Sequence, residues 1–242
     1  MSSIHYVVGS VVLIIGLVAM YMGRKLAKNA GMYSLYVEAQ NLSELSEGVP
    51  SFYTGNVAAT QTLKTPYTQQ DCVFYTYQIE REVEQRDSQG NVTANWQSMG
   101  SDKAGVQFTL QRGGDQVSVN PQAVDEVRGI QSQQSLLAPG ILQGLNLSGI
   151  TGALSIGMNS GGGQERISEE FIPPGMQLTV GGQVFIEAGV KTFRHDSEYP
   201  LVFTTKTKDA LVNSDKTKSY IGYAIGVIGI IGCIPLLLVA KF

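Results

Sequence analysis

Pro66–Glu84, PYTQQDCVFYTYQIEREVE, reads as a turn feeding one long strand. Val73, Tyr75, Tyr77, Ile79 and Val83 fall on one face, and Thr76, Gln78, Glu80, Glu82 and Glu84 on the other. Apolar and polar residues alternating with period two mark a strand with one side buried and one side wet. The chain before this stretch leads out of an apolar segment, and the chain after it leads into another.

The first apolar segment, residues 4–23, is as long as a helix needs to cross a bilayer core at ~1.5 Å per residue. Arg24 and Lys25 follow directly where a signal peptide would carry a small-residue cleavage site, so the segment reads as a retained anchor. The second segment, 220–240, has no charged residue and reads as a second transmembrane helix. Pro235 is expected to kink it, because proline removes a donor and crowds the preceding turn. Gly9, Gly16 and Gly23 recur at heptad spacing in the first segment. Gly222, Gly226 and Gly229 share one face of the second. Small residues let backbones approach closely, which is how helices associate in lipid, so both faces are candidate helix-packing surfaces.

Charge sets an expected orientation. Arg24, Lys25 and Lys28 follow the first span, and Lys206, Lys208, Lys216 and Lys218 precede the second. The positive-inside rule then makes this an integral protein of the cell membrane with a cytoplasmic central domain. Three sequons, at Asn41, Asn91 and Asn146, point weakly the other way.

Residues 24–48 read as a juxtamembrane helix with an apolar stripe from Met32, Leu35 and Tyr36, either a stalk or interfacial helix or one that packs on a core. The β-domain follows in two parts, 49–128 and 165–212. Strands are expected at Phe52–Thr60, along the Cys72 stretch, at Thr93–Ser98 and around Val106–Leu110. Gly113-Gly114 is a tight-turn signal leading to Val117 and Val119, and Met176–Ala188 and Leu201–Thr205 complete the set. The fold class is therefore membrane-anchored and mainly β. Two transmembrane helices flank a small β-barrel or sandwich-like domain with a juxtamembrane helix.

Residues 129–164 form an uncharged Gly/Leu-rich insert. Leu136, Leu137, Ile141, Leu142, Leu145, Ile150, Leu154 and Ile156 are its candidate membrane or subunit contacts, since exposed apolar surface usually marks an interaction site. A core helix and a disordered linker are the competing readings.

Chemistry is hard to find. The two cysteines, Cys72 and Cys233, are too few for a Cys-rich zinc site and badly placed for a disulfide. Cys72 opens the central strand and reads as a small buried hydrophobe. Of the two histidines, His195 sits in a polar loop beside Asp196, and neighbours on a loop do not aim at one another as a catalytic relay requires. Glu80, Glu82 and Glu84 read as a solvated strand face, and Trp96 as a core or pocket residue. No phosphate-loop frame surrounds Gly161–Gly163 or Gly181-Gly182. A net charge of −3 and scattered basic residues leave nucleic acid unsupported as a partner. No catalytic, metal or cofactor residue is assigned.

Taken together, Asn41–Glu84, Glu170–Val184 and Pro200–Leu211 resemble the beside-a-membrane, or GIDE, domain. That is the central domain of the mitochondrial membrane-anchored RING ubiquitin ligase family and of its bacterial and archaeal relatives. The shared features are a small glycine-containing strand, the Thr65-Pro66 turn, Cys72-Val73 with Tyr75, and the later strands LTVGGQV and LVFTT. Gln111–Asp115 departs from the family's turn, and the 129–164 insert is unusual. The cysteines a RING needs are absent from this sequence, which ends at Phe242. A prokaryotic relative lacking the RING is therefore expected, and ligase activity is not. The resemblance also implies a central domain facing the intermembrane space in eukaryotic members, opposite to the charge-based orientation. The expected function is a non-catalytic scaffold or interaction protein that forms a homo-oligomer at the lipid bilayer. The alternative is an accessory or regulatory subunit of a membrane enzyme, transporter or LemA-like envelope protein.

Overall fold

In a computed structural model, residues 2–86, 89–137 and 164–239 are described. The chain divides into two compact units, Met1–Tyr36 with Lys206–Phe242, and Val37–Thr205.

The first unit is a pair of long helices, α1 (Ser2–Leu35) and α2 (Lys208–Val239). The expected juxtamembrane helix over 24–48 is the second half of α1, and it ends at Leu35. Tyr33 and Tyr36 pack edge to face there, with ring centroids 5.8 Å apart. The Lys208 ammonium donates to the Tyr36 carbonyl, one of the acceptors a helix end leaves open. Among the described residues one helix, α1 over Val7–Leu35, is long and apolar enough to cross a membrane. The expectation of two such helices is corrected to that extent. The first turns of α2 carry Lys208, Asp209, Asp215, Lys216 and Lys218, and its uncharged part runs to the edge of the described residues. The helix continues through Pro235 to Val239.

The second unit is mainly β. Its short opening strand β1 (Val37–Ala39) pairs parallel with β2 (Pro50–Ala58). Between them, Asn41 caps a turn of 3-10 helix by accepting from the amides of Ser43 and Glu44. Strand β2 then closes a ring. It pairs with β7 (Phe108–Arg112), β7 with β8 (Asp115–Val119), and β8 parallel with β13 (Val190–Arg194). β13 pairs with β12 (Gln177–Glu187), which returns to β2. This is a five-stranded Greek-key barrel. Its centre is apolar because alternate residues of every strand point inward. Leu110, Val117, Val119, Leu178, Val180, Val184 and Phe193 are completely buried. Gly113 and Gly114 turn the β7–β8 hairpin with φ of +58° and +98°, the two left-handed positions a tight two-residue loop demands.

The quoted stretch does not enter the barrel ring. It runs from the Pro66 turn into Asp71–Cys72, β4, which pairs with Leu63–Lys64, β3. It continues as β5 (Phe74–Arg86), in a separate antiparallel sheet. The order there is β10 (Gln131–Leu137), β11 (Glu165–Ile172), β5 and β6 (Val92–Gly105). Tyr77, Ile79, Leu137 and Ile167 form its own small core. The two parts meet at Phe74, which lies in the barrel core and touches Phe203 edge to face. Phe203 belongs to β14 (Val202–Thr204), which extends the barrel sheet from β12 and pairs parallel with β9 (Glu126–Arg128).

Candidate functional site

The helix pair brings backbone close to backbone. Gly9, Gly16, Gly23 and Ala30 are buried along α1, each seven residues from the next. Val212, Ser219, Gly226 and Cys233 repeat that pattern on α2. A Cβ on Gly222 would stand 2.9 Å from the Ala19 carbonyl oxygen and 3.0 Å from the Gly23 Cα. One on Gly229 would stand 3.1 Å from the Gly16 Cα. The structure thus sets Gly16 and Gly23 against Gly222, Gly226 and Gly229. Small residues are what such a close seam admits.

The four-stranded sheet holds two ion pairs that bury charge. On its outer face Arg166 donates from Nε to Glu80 at 2.6 Å. The Arg166 guanidinium also lies 4.1 Å from the centre of the Trp96 ring, a cation–π contact. Trp96 is therefore a half-buried surface platform for an arginine, not a core residue. On the inner face Arg81 bonds Oε1 of Glu165 through Nε at 3.0 Å and Nη2 at 2.5 Å. Glu169 is 1% exposed. It accepts from the amides of Tyr67 and Thr68, at 2.7 and 3.0 Å, and from the Thr68 hydroxyl. That carboxylate clamps the Pro66 turn onto β11, and charged hydrogen bonds of this kind are the strong ones.

His195 is paired after all, but not with its neighbours. Its Nδ1 lies 2.8 Å from Asp125 Oδ2, which also accepts the Leu201 amide at 2.7 Å. Asp125 thereby ties the loop after β13 to the start of β14. Nothing nucleophilic completes the pair in the described hydrogen bonds, so the arrangement holds a loop and carries no relay.

Cys72 is completely buried, with Sγ 3.6 Å from the Leu63 carbonyl oxygen. Burial pushes its thiol up to about 12, and the carboxylates of Glu169 and Asp71 add to the shift. The thiolate is the reactive species, so Cys72 should resist iodoacetamide at pH 8 until the protein unfolds. Labelling of the native protein at the rate of a free thiol would contradict the packing. A raised thiol value also has a sign for stability. The unfolded chain loses this proton near 9.0 and the folded one near 12, so the contribution is whole below the first value and lost as pH rises toward the second.

On the barrel, β7, β8 and the end of β2 border an open cleft of about 620 Å³. Gln61, Gln107, Thr109, Gln116 and Ser118 line it, and no charged side chain does. The cleft can hydrogen-bond but supplies no titrating group for acid–base chemistry. Among the described residues no group of three or more His, Cys, Asp or Glu side chains could hold a metal ion.

Of the proposed contact residues in the insert, Leu136 is 64% exposed and Leu137 is buried in the sheet's core. Leu137 therefore faces inward and is no surface contact. Ile141, Leu142, Leu145, Ile150, Leu154 and Ile156 lie outside the described residues. The sheet edge at β10 escaped the sequence reading. Gln131–Gln134 are exposed there, but polar uncharged strands lack the alternation that betrays a strand.

No curated protein and no solved structure matches the chain. A family model does: GIDE, described as an E3 ubiquitin ligase, matches residues 76–239, from the outer sheet through the barrel into the second helix. That span covers well over half of the sequence, and the chain belongs to the GIDE family.

Proposed function

We propose that this GIDE-family chain is a non-catalytic scaffold, anchored in a lipid bilayer by both helices and assembled there with further copies of itself. The observation that supports this most is the glycine seam. Backbone-to-backbone packing of this kind costs a soluble helix pair its apolar side-chain contacts, whereas in lipid it supplies the main attraction between helices. The uncharged part of α2 is then the second span, antiparallel to the first.

Because the seam is filled within one chain, assembly must use another surface. Mass photometry on protein lifted from its own membrane in polymer nanodiscs tests the reading. A particle that is a multiple of the 26.0 kDa chain is expected. A bare monomer would sink the scaffold reading, and a second polypeptide at equal stoichiometry would replace it with the accessory-subunit reading. The basic residues flanking the helices support a cytoplasmic β-domain, as for a prokaryotic member. The Asn91-Val-Thr sequon, at the exposed start of β6, is a built-in reporter. In microsomes Asn91 should stay unglycosylated, and an Asn91-dependent mass shift would reverse the orientation.

A further inference from the structure

Every sheet has two edges, and an edge strand offers unpaired amides and carbonyls to any strand that arrives. Proteins blunt such edges by keeping them short, bulged or charged. The barrel sheet ends in β1 and β9, each of three residues. The outer sheet ends on one side in β6, which carries Asp102 and Lys103 and breaks register opposite Ile79 and Glu80. Its other edge, β10, has none of these protections. It runs for seven residues, QSQQSLL, without charge or proline, and pairs along its whole length with β11 on one side only. Among the described residues no strand covers its other side. Gln131–Gln134 are exposed, and Leu136 is 64% exposed.

We propose that β10 is the contact between two copies of this chain, pairing antiparallel with the same strand of a second molecule about a twofold axis at Gln134. This names the surface for the assembly proposed above and rests on that reading. The occupant follows from charge. In an isologous contact the residue on the axis meets its own copy and its close neighbours meet one another, and like charges directly opposite are destabilising. A neutral strand is free of that penalty, and a glutamine amide at the axis both donates to and accepts from its twin. The register that uses all seven residues sets Gln133 against Ser135, Ser132 against Leu136 and Gln131 against Leu137. The two sheets of four become one of eight. Ser132, Gln134 and Leu136 share the outer face with Ser168, to whose hydroxyl Gln134 donates at 3.1 Å. Leu137 stays in the inner core, so pairing at this edge disturbs nothing already packed.

Single cysteines in the full-length membrane protein test the register. Residues opposite one another in an antiparallel pair have Cα atoms about 4.5–5.5 Å apart, inside the range a disulfide spans. Under mild oxidation Gln134→Cys should form a covalent dimer. Ser132→Cys and Leu136→Cys should each stay monomeric alone and cross-link when co-expressed. Wild-type protein, with Cys72 and Cys233 buried, is the control. Gln134→Lys, an exposed change that leaves the fold intact by circular dichroism, should reduce the nanodisc particle to a lower mass by at least tenfold in dissociation constant. A multimer whose mass ignores Gln134→Lys and whose Gln134→Cys form stays uncross-linked would keep the assembly and overturn the edge pairing. A monomer would overturn both. Cross-linking from every position, or to a different polypeptide, would overturn the second copy as occupant.

Discussion

Phe203→Ala should destabilise the β unit by about 3–5 kcal/mol, read as a fall in the denaturant midpoint of the full-length protein in micelles. Phe203 is completely buried. Its ring stands edge to face with Phe74, centroids 5.5 Å apart, and with Phe108 at 5.8 Å. Such pairs add about 0.5–1.5 kcal/mol beyond the area they bury. The position matters because the three rings come from different parts of the fold. Phe108 opens barrel strand β7, Phe203 lies on β14 beside Val180 of β12, and Phe74 is where the chain leaves the barrel for the outer sheet. Truncation leaves a cavity shared by all three, and neither sheet can collapse into it without moving the other. Phe203→Leu keeps much of the volume and should cost about 1–2 kcal/mol. A loss under 1 kcal/mol for the alanine would mean that the outer sheet and the barrel do not depend on this contact.

The same junction explains what could be read from the residues alone. The alternation of β5 is plain, and Val73 before it and Tyr77 and Ile79 within it are buried as expected, but Tyr75 and Val83 are only half-buried and Phe74, of the opposite parity, is buried instead. The Gly113-Gly114 hairpin is equally plain, because two left-handed residues in a row leave little choice but glycine. Nothing local says that the alternating strand leaves the barrel, since the decision rests on Phe74 finding Phe203 far along the chain. β11 was missed for a different reason. Its inward face reads Glu165, Ile167, Glu169 and Phe171, so charge stands at buried positions. Those glutamates are tolerated only because Arg81 and the Pro66 turn meet them, and neither partner is local in sequence. β13 was lost in the polar loop around His195, since only Thr192 and Phe193 of its five residues are buried. Trp96 reads as a core or pocket residue because tryptophan is usually well buried, yet Arg166, two strands away on the same outer face, covers its ring. The glycine spacing of the two helices, by contrast, was visible without knowing any partner. Close packing along a helix is a periodic property of one strand of sequence, whereas a sheet partner is not.

That seam supports the second large prediction. Gly222→Leu should weaken the helix pair by about 2–3 kcal/mol, measured as the shift of an SDS titration in mixed micelles. What decides the cost is which atoms a new side chain would meet. At Gly226 two of the three nearest atoms belong to Met20, a flexible side chain that can turn away, and one to the Gly16 carbonyl oxygen at 3.0 Å. At Gly222 all three nearest atoms are backbone, from Ala19 and Gly23, at 2.9–3.2 Å. A Cβ there cannot be relieved by a rotamer change, so the helices must separate along their length and forfeit the contacts at Gly16 and Gly229 as well. Gly232 supplies the control, because a Cβ added to it meets nothing within 4 Å on the same helix. Gly232→Leu changes hydrophobicity by the same amount and should shift the titration by less than about 0.5 kcal/mol. If both variants move it equally, the effect comes from partitioning into the micelle and the seam does not hold the pair. If only Gly222→Leu moves it, backbone contact is what joins the helices.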